Sequence, residues 1–280
     1  MSVRAAGDEQ LEIDLRLGEP ETTMATEPAT GSDDHAPAIL NTSEIRTLLG
    51  RHLFGPSLCR ILLRQRVANR EPGLIYRFAK RTVDIAISFI LIVLLLPVLT
   101  VSALAVRLTS PGPIFFRQAR YGRGGVEFSM LKFRSMVDGA DRMLDAMNEL
   151  ARTGEIEVLN ELVFKAADDP RITPVGRFLR RTTLDELPQL MNVFAGHMSL
   201  VGPRPLVTEE VEALSSRVNE HRLAVRPGVT GVWQVTRSAE TTFAERIALD
   251  LLYVERRSAL LDATLFAMTP IAVARGARSH

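Results

Sequence analysis

Cysteine and lysine are scarce in this chain of 280 residues. Cys59 is the only cysteine, so the sequence can form no internal disulfide and no cysteine-based metal cluster. Only Lys80, Lys132 and Lys165 are lysines among 34 basic residues. Arginine therefore carries nearly all of the positive charge, and its planar guanidinium suits phosphate recognition. The first residues also lack the basic start and apolar run of a secretory signal peptide.

Motifs of several enzyme classes are missing as well. The sequence contains no His-Glu-x-x-His, no Walker A and no Gly-x-Ser-x-Gly element. Its five histidines stand in no zinc-binding spacing, and we interpret them as surface, loop or tail residues. Aromatic residues make up 6% of the chain and its arginines are scattered, which disfavours a nucleic-acid-binding protein.

The net charge of +1 conceals an acidic beginning. Residues 1–35 hold nine acids against two arginines, and few large apolar groups. This composition predicts a disordered acidic tail over residues 1–41. Residues 42–76 combine apolar residues at helical spacing with several arginines, which predicts a basic amphipathic juxtamembrane segment. Such a segment either lies along an anionic membrane surface or packs on the core of the chain.

Residues 85–106 form a run of 22 residues without a charge, long enough to cross a membrane. Pro97 lies near its middle, where proline bends or breaks a helix. Basic residues flank both ends, whereas a single crossing is enriched in them on the cytoplasmic side. We therefore favour a re-entrant helix-break-helix hairpin over residues 77–108, bent at Pro97. Ser88, Thr100 and Ser102 are expected to satisfy backbone groups freed at the bend.

Residues 109–276 mix short strands and helices without a βαβ rhythm, which predicts an α+β fold. Strands are expected at residues 114–116, 128–133 and 232–235, and helices at residues 138–162, 208–221 and 242–253. The basic, glycine-rich residues 121–125 suit either a hairpin turn or a close approach of backbone to phosphate. Residues 260–271 are apolar but too short to span, and suit a membrane interface.

Two adjacent acids, Asp185 and Glu186, lie between arginines and just before Pro188. Because proline is tolerated only in the first turn of a helix, a helix is expected to begin close to these acids. Asp185 is then either an ordinary N-cap or a functional carboxylate. A helix start flanked by arginines also suits phosphate binding.

An ordered series of motifs resembles the monotopic polyprenyl-phosphate phosphoglycosyl transferases, or bacterial sugar transferases. The resemblance covers about residues 77–276. Its strongest elements are Lys80-Arg81-Thr82-Val83-Asp84, Ser110-Pro111-Gly112-Pro113, Arg117-Gln118-Ala119-Arg120-Tyr121-Gly122, Lys132-Phe133-Arg134-Ser135-Met136, Thr183-Leu184-Asp185-Glu186-Leu187-Pro188-Gln189-Leu190, Met198 to Pro205, Arg226 to Gly231, Trp233-Gln234-Val235 and Leu249-Asp250-Leu251-Leu252-Tyr253.

The resemblance implies that a phospho-sugar moves from a UDP-sugar to polyprenyl (undecaprenyl) phosphate, with release of UMP. It implies Mg²⁺ as cofactor and a monotopic protein of the bacterial inner membrane, with its small catalytic domain facing the cytoplasm. The reaction would initiate assembly of exopolysaccharide or another lipid-linked glycan. No nucleic acid is expected as a partner, and a homodimer is left open.

By position in the motifs, the resemblance makes Asp185 the nucleophile and a metal contact, and Glu186 its supporting carboxylate. Lys132 and Arg180 match positions that would clamp the diphosphate. Arg204 and Arg226 are candidates for nucleotide or phosphate binding or, alternatively, for structural salt bridges. Asp250 either binds metal or orients an arginine, and Trp233 either stacks on uracil or belongs to the core.

Three positions depart from the family pattern. Leu96 stands where a serine usually precedes the proline, His197 replaces an acid, and Thr236-Arg237-Ser238 replaces an Asn-Gly-Arg element. The family pattern therefore does not fix the bend angle here, any role of the replaced acid does not carry over to His197, and recognition of the sugar is expected to differ. The alternative function is a non-catalytic, membrane-anchored scaffold that binds polyprenyl phosphate or a partner.

Overall fold

The computed structural model describes the helical and strand elements between residue 73 and residue 276, with gaps. The described positions are Ile45, Leu49, Leu58, Ile61, Leu62, residues 73–140, Met143, Asp169, residues 171–236 and residues 241–276. The expected tail over residues 1–41 lies outside them, as does nearly all of the expected helix over residues 138–162.

Two helices joined at a sharp bend make up the apolar segment. Helix α1 runs over Leu74–Leu94 and helix α2 over Leu96–Thr109, with a bend of 63° between them. Pro97 occupies the first turn of α2, where its missing N–H costs nothing. Neither helix is long and apolar enough to cross a membrane by itself in the described ranges, and only the bent pair meets both requirements together. The predicted helix-break-helix shape is confirmed.

Hydroxyl side chains of both helices bond to carbonyls of their own helix, and these bonds do not meet the expectation that the hydroxyls satisfy groups freed at the bend. Thr100 Oγ1 donates to the carbonyl of Leu96 at 2.8 Å, and Ser88 Oγ donates to that of Ile85 at 3.1 Å. Ser102 is buried in α2, but no contact of its hydroxyl with a freed backbone group is seen in the described region.

A β-hairpin follows the bent helices. Strand β1, Phe115–Tyr121, pairs antiparallel with strand β2, Glu127–Phe133, through a tight turn at Arg123–Gly125. Gly124 and Gly125 have positive φ in this turn, so the hairpin interpretation of the glycine-rich loop is confirmed. Phe115 and Phe133 stack with ring centroids 5.5 Å apart, and Phe133 is buried beside Val106 of α2.

The remaining elements alternate helices with two very short strands. They are α3 (Pro174–Arg181), a 3₁₀ turn (Leu184–Glu186), α4 (Gln189–Ala195), β3 (Ser199–Val201), α5 (Thr208–Glu212), α6 (Ser216–Leu223), β4 (Gly228–Thr230), α7 (Val232–Thr236), α8 (Phe243–Arg256) and α9 (Ala259–Gly276). β3 and β4 are parallel, with Ser199 opposite Gly228. The mixture of short strands and helices confirms an α+β fold.

Two expectations for local structure were wrong, and one alternative is excluded. Residues 232–235 are helical, and the buried Val232 and Val235 are three residues apart. The strand prediction failed because a run of four residues is too short to distinguish the period of a helix from that of a strand. The helix expected over residues 208–221 is two helices, because Ser215 caps a new start through its Oγ and the N–H of Val218. Asp185 is not an N-cap, since it lies inside the 3₁₀ turn and α4 begins at Gln189.

The described positions of the amphipathic segment favour one of its two interpretations. Ile45, Leu49, Leu58 and Leu62 are fully buried in the main hydrophobic core, where they join residues of α4, α8 and α9. Arg256 of α8 also donates to the carbonyl of Leu62 at 2.6 Å. These four side chains therefore pack on the core of the chain.

Helix α1 is fastened to the rest of the protein by polar side chains at its beginning. Arg81 donates to the carbonyls of Val193 and Phe194 at 2.7 and 2.9 Å, so it caps the end of α4. Asp84 is 4% exposed and accepts from the N–H of Leu200 in β3 at 3.1 Å. The two contacts hold the hairpin at a fixed place against α4 and β3.

We expect Asp84→Ala to destabilise the protein, because it leaves the buried N–H of Leu200 without its acceptor. The free energy of unfolding should fall by about 1–3 kcal/mol, the usual cost of an unpaired buried polar group. Thermal unfolding of the purified protein measures this change. Asp84→Asn is the matched control, since it retains an acceptor oxygen and should lose less. Equal melting temperatures for Asp84→Ala and the wild type would contradict the prediction.

Candidate active site

The acid pair lies in the connection between α3 and α4. Thr173 caps α3, its Oγ1 accepting from the N–H of Gly176 at 2.9 Å, and the helix ends at Arg181. Thr183 then takes φ 59°, the one positive φ of a non-glycine residue in the described ranges. Such conformations are costly and cluster at functional sites. The turn at Thr183 places Asp185 and Glu186 at the beginning of α4.

Glu186 is neutralised by two cations. Its Oε1 lies 2.9 Å from Lys132 Nζ and 3.4 Å from Arg204 Nη2. Burial acts to raise the pKa of Glu186, but Arg204 and Lys132 outweigh it and lower that pKa to about 2. Glu186 is therefore a carboxylate throughout the physiological range and holds both cations in place.

The pKa of Asp185 is shifted in the opposite direction, because burial outweighs the nearby cations there. It is 9% exposed, and within the described part of the chain it forms no ion pair. Burial, followed by the charge of Glu186, raises the pKa of Asp185 to about 6, although Lys132 and Arg180 act to lower it. The group is thus mostly ionised at neutral pH, yet little of its charge is compensated. A desolvated, unpaired carboxylate of this kind suits a nucleophile or a metal contact.

Two of the predicted cations reach the acids from neighbouring elements. Lys132 extends from β2, and Arg180 from the last turn of α3. Arg180 Nε donates to Ser135 Oγ at 2.8 Å, which fixes the guanidinium near Asp185. Both cations therefore lie close to the acid pair, where they could bind the oxygens of a diphosphate.

Arg204, the third predicted cation at the acids, is positioned by a buried ion pair. Arg222 of α6 donates to Asp250 through Nε at 3.0 Å and through Nη2 at 2.6 Å. Both side chains are 3% exposed or less, and Arg222 also donates to the backbone carbonyl of Arg204. The orienting role weighed for Asp250 is therefore the one that its contacts support.

Trp233 lies half-buried beside these cations. The guanidinium carbons of Arg204 and Arg246 are 6.0 and 5.5 Å from the centre of its ring. Both distances permit a cation–π interaction. The ring is therefore part of the boundary of the site.

Arg226 is not near the acid pair. Its Nε donates to the carbonyl of Gly196 at 2.8 Å, just beyond the end of α4, while Asp185 precedes the beginning of that helix. Its charged neighbours there are Arg81, Asp84 and Arg77. The structure thus brings together Lys132, Arg180 and Arg204 with the acids, and places Arg226 at the opposite end of α4.

Two residues at the site were missed by reasoning from the sequence. Arg120 of β1 donates to the carbonyl of Pro205 at 2.9 Å, and burial, followed by the charge of Arg204, lowers its pKa to about 10. Ser135 holds Arg180. Both lie within quoted motifs, but neither carried a signal that distinguished it from its neighbours.

The acids fit a divalent cation that binds together with substrate. No three His, Cys, Asp or Glu side chains converge on a metal-sized space in the ranges that the structure describes. Mg²⁺ commonly binds through one or two carboxylates together with substrate phosphate oxygens, and does not need an all-protein cage. Asp185 could supply such an oxygen, whereas Glu186 Oε1 is engaged by Lys132 and Arg204.

Known proteins resemble this chain over the same region. Residues 75–276 match the family described as bacterial sugar transferase. A UDP-galactose-lipid carrier transferase of Erwinia amylovora is 38% identical over 234 residues, which cover 82% of this chain and 48% of that protein. An undecaprenyl-phosphate galactose phosphotransferase of Salmonella typhimurium is 39% identical over 199 residues, 71% of this chain and 41% of the relative.

The relatives differ in how much of their own length this chain covers. The chain spans about half of the Erwinia protein, with 48% covered, but 85% of the exopolysaccharide production protein ExoY of Sinorhizobium fredii. The ExoY protein is 38% identical over 195 residues, 70% of this chain. The family match includes the bent helices, the acid pair and all of the cations described above. The chain belongs to the bacterial sugar transferase family.

Proposed function

We propose that this protein transfers a phospho-sugar from a UDP-sugar to polyprenyl phosphate and releases UMP. The names of the relatives support the class of reaction, since they include a UDP-galactose-lipid carrier transferase and an undecaprenyl-phosphate galactose phosphotransferase. The name of ExoY, an exopolysaccharide production protein, supports a part in exopolysaccharide production, and we propose that the reaction initiates the assembly.

One observation carries the proposal: the two adjacent acids have different environments. Glu186 is fixed by Lys132 and Arg204, whereas Asp185 is buried, faces the charge of Glu186 and has a pKa raised to about 6. A pair with environments this different suits a division of labour between a nucleophile and a supporting group. A purely structural pair of acids would gain nothing from leaving one of them unpaired.

The proposed chemistry proceeds through two displacements at phosphorus. A carboxylate oxygen of Asp185 attacks the β-phosphorus of the UDP-sugar, and the bond from that phosphorus to the bridging oxygen breaks. UMP leaves with the electron pair of that bond. An oxygen of polyprenyl phosphate then attacks the same phosphorus, which frees the Asp185 carboxylate and forms a polyprenyl diphosphate sugar. Division into two steps avoids direct attack of one anionic phosphate on the other.

The cations would act on the charge of the transferring group. Lys132 and Arg180 would bind its nonbridging oxygens, and Arg204 would orient Glu186. When bound, Mg²⁺ would supply further charge neutralisation at the diphosphate. Asp185 is the protein group that we propose as its contact.

The hairpin of α1 and α2 is proposed to enter the membrane and to return on the same side. Many of its large apolar side chains are exposed, among them Phe89 at 54%, Leu94 at 70% and Val101 at 67%. An exposed apolar surface of this kind indicates contact with lipid or a partner. The basic flanks on both sides of the bend favour a re-entrant path, with the catalytic domain on the cytoplasmic face of the inner membrane.

The identity of the released nucleotide tests the proposal. Purified protein with Mg²⁺, undecaprenyl phosphate and UDP-galactose or UDP-glucose should release UMP, and removal of the metal by a chelator should abolish the release. Release of UDP would contradict the proposal, because it marks the transfer of sugar without phosphate. Binding of undecaprenyl phosphate without release of either nucleotide would favour the alternative of a non-catalytic scaffold.

A further inference from the structure

Trp233, the only tryptophan of the chain, lies at the border between the main hydrophobic core and the surface. Its neighbours on α7, Val232 and Val235, are 0% and 6% exposed and belong to that core. Trp233 packs against the same core but is only half-buried. Core packing therefore accounts for only part of this large ring.

The ring also lies beside two arginines that reach the solvent. The guanidinium carbon of Arg246 is 5.5 Å from the centre of the Trp233 ring and 5.1 Å from the centre of the Phe243 ring. The guanidinium carbon of Arg204 is 6.0 Å from the Trp233 ring, and the side chains of both arginines are 31% exposed. Aromatic rings and guanidinium planes are the surfaces on which nucleobases stack.

Arg204 connects this ring with the acid pair. Its Nη2 lies 3.4 Å from Glu186 Oε1, so Trp233 is one side chain away from Glu186. In a UDP-sugar the groups follow in the order sugar, β-phosphate, α-phosphate, ribose and base. With the β-phosphate at Asp185, the sugar would adjoin the acids and the base would lie farther away, beyond the α-phosphate. An arginine between the acids and the ring suits the α-phosphate and not a neutral sugar.

We propose that Trp233 and Arg246 form the binding surface for the uracil base of the UDP-sugar and of its product UMP. The inference rests on the proposed function, because it requires a uridine nucleotide to reach the acid pair. A stacking surface recognises the flat face of a base and not its hydrogen-bonding edge. The site should therefore distinguish a nucleotide from a ribose phosphate that lacks the base, but should discriminate only weakly between bases.

The fluorescence of the single tryptophan tests the proposal directly. The full chain in a neutral detergent with Mg²⁺ is titrated separately with UMP, ribose 5-phosphate and galactose 1-phosphate. Free tryptophan titrated in parallel corrects for the absorbance of the base. UMP should quench the emission of Trp233 saturably, because a stacked base contacts the ring. The two sugar phosphates should leave the emission nearly unchanged.

Substitutions separate stacking from a role in the fold. In Trp233→Leu, the Kd of UMP measured by calorimetry should rise about tenfold or more, the usual loss of one stacking surface. Trp233→Phe retains an aromatic face and should lose less. Arg246→Gln should also weaken the binding of UMP, whereas its matched control Arg217→Gln, at an exposed arginine of α6, should not. The Kd of ribose 5-phosphate should stay the same in every variant, whereas a purely structural role of the ring would change both Kd values alike.

The outcomes distinguish the base site from its alternatives. Equal quenching by UMP and ribose 5-phosphate would overturn the inference, because the ring would then respond to the phosphate alone. Quenching by galactose 1-phosphate and not by UMP would replace the base site with a sugar site. An unchanged Kd of UMP in Trp233→Leu would also contradict the inference. A protein that releases UMP without quenching would contradict the base site alone, and quenching without UMP release would contradict only the proposed reaction.

Discussion

Asp185→Asn should reduce UMP release by about 10⁴-fold or more, the usual size of the loss when a covalent nucleophile is removed. The amide is nearly the same shape as the carboxylate, but it does not attack phosphorus. Glu212→Gln removes an exposed carboxylate of α5, 27 residues after Asp185 in the sequence. It serves as the control that should keep full activity. Activity within tenfold of the wild type in Asp185→Asn would contradict the assignment.

Loss of activity in this variant should not reflect loss of the fold. Burial and the charge of Glu186 both disfavour the carboxylate form of Asp185. A neutral amide removes both costs, so the melting temperature should be unchanged or higher. Strained or repulsive groups at active sites commonly show this exchange of stability for function.

Isotope exchange distinguishes the covalent route from direct transfer. If Asp185 carries the phospho-sugar, the wild type should exchange labelled UMP into the UDP-sugar in the absence of polyprenyl phosphate. This partial reaction is the signature of a ping-pong mechanism. Asp185→Asn should show none of it. Absence of the exchange in an active wild-type preparation would favour direct attack by the lipid phosphate.

Breaking the ion pair between Arg222 and Asp250 should have the largest effect on stability. Removal of one partner leaves a buried charge without compensation, at a cost of about 3–5 kcal/mol. Arg222→Met and Asp250→Leu should each lower the melting temperature by roughly 10 °C in a domain of this size. Arg217→Gln, on the same helix but exposed, should change it little.

The double variant separates stability from catalysis. Arg222→Met with Asp250→Leu replaces the pair with apolar groups, an exchange that is often neutral for stability. We expect the melting temperature to recover while UMP release stays low, because the backbone carbonyl of Arg204 has lost its donor. Full recovery of activity would show that the pair only stabilises the fold and does not position Arg204.

Much of the site could be predicted because its residues lie in short, ordered motifs. Asp185 and Glu186 are adjacent in sequence, and Lys132, Arg180 and Arg204 do converge on them. Arg226 was grouped with them on the same grounds, but its place depends on the path of the chain between β3 and β4. That path is set by long-range packing, which no local pattern encodes.

Local structure was hardest to predict where two principles compete. A proline after two acids suggests an N-cap at Asp185, but the positive φ of Thr183 begins a 3₁₀ turn instead. Residues 232–235 alternate as a strand does, yet they belong to a helix in which Val232 and Val235 are buried, because four residues are too few to distinguish the two periods. The bend at Pro97 was predictable because proline acts through sterics at one position.

Helix α4 lies between the contact with the hairpin and the proposed nucleophile, so a rotation of the helix would move the nucleophile. Arg81 of α1 caps the C-terminal end of α4, and Asp185 lies in the 3₁₀ turn that precedes its N-terminal end. Over an arm of about 10 Å, a rotation of about 6° moves the far end by about 1 Å. Misplacement on this scale can cost about a hundredfold in rate. If the hairpin enters the membrane as proposed, the thickness and curvature of the bilayer would set its tilt and would therefore become variables of the turnover rate.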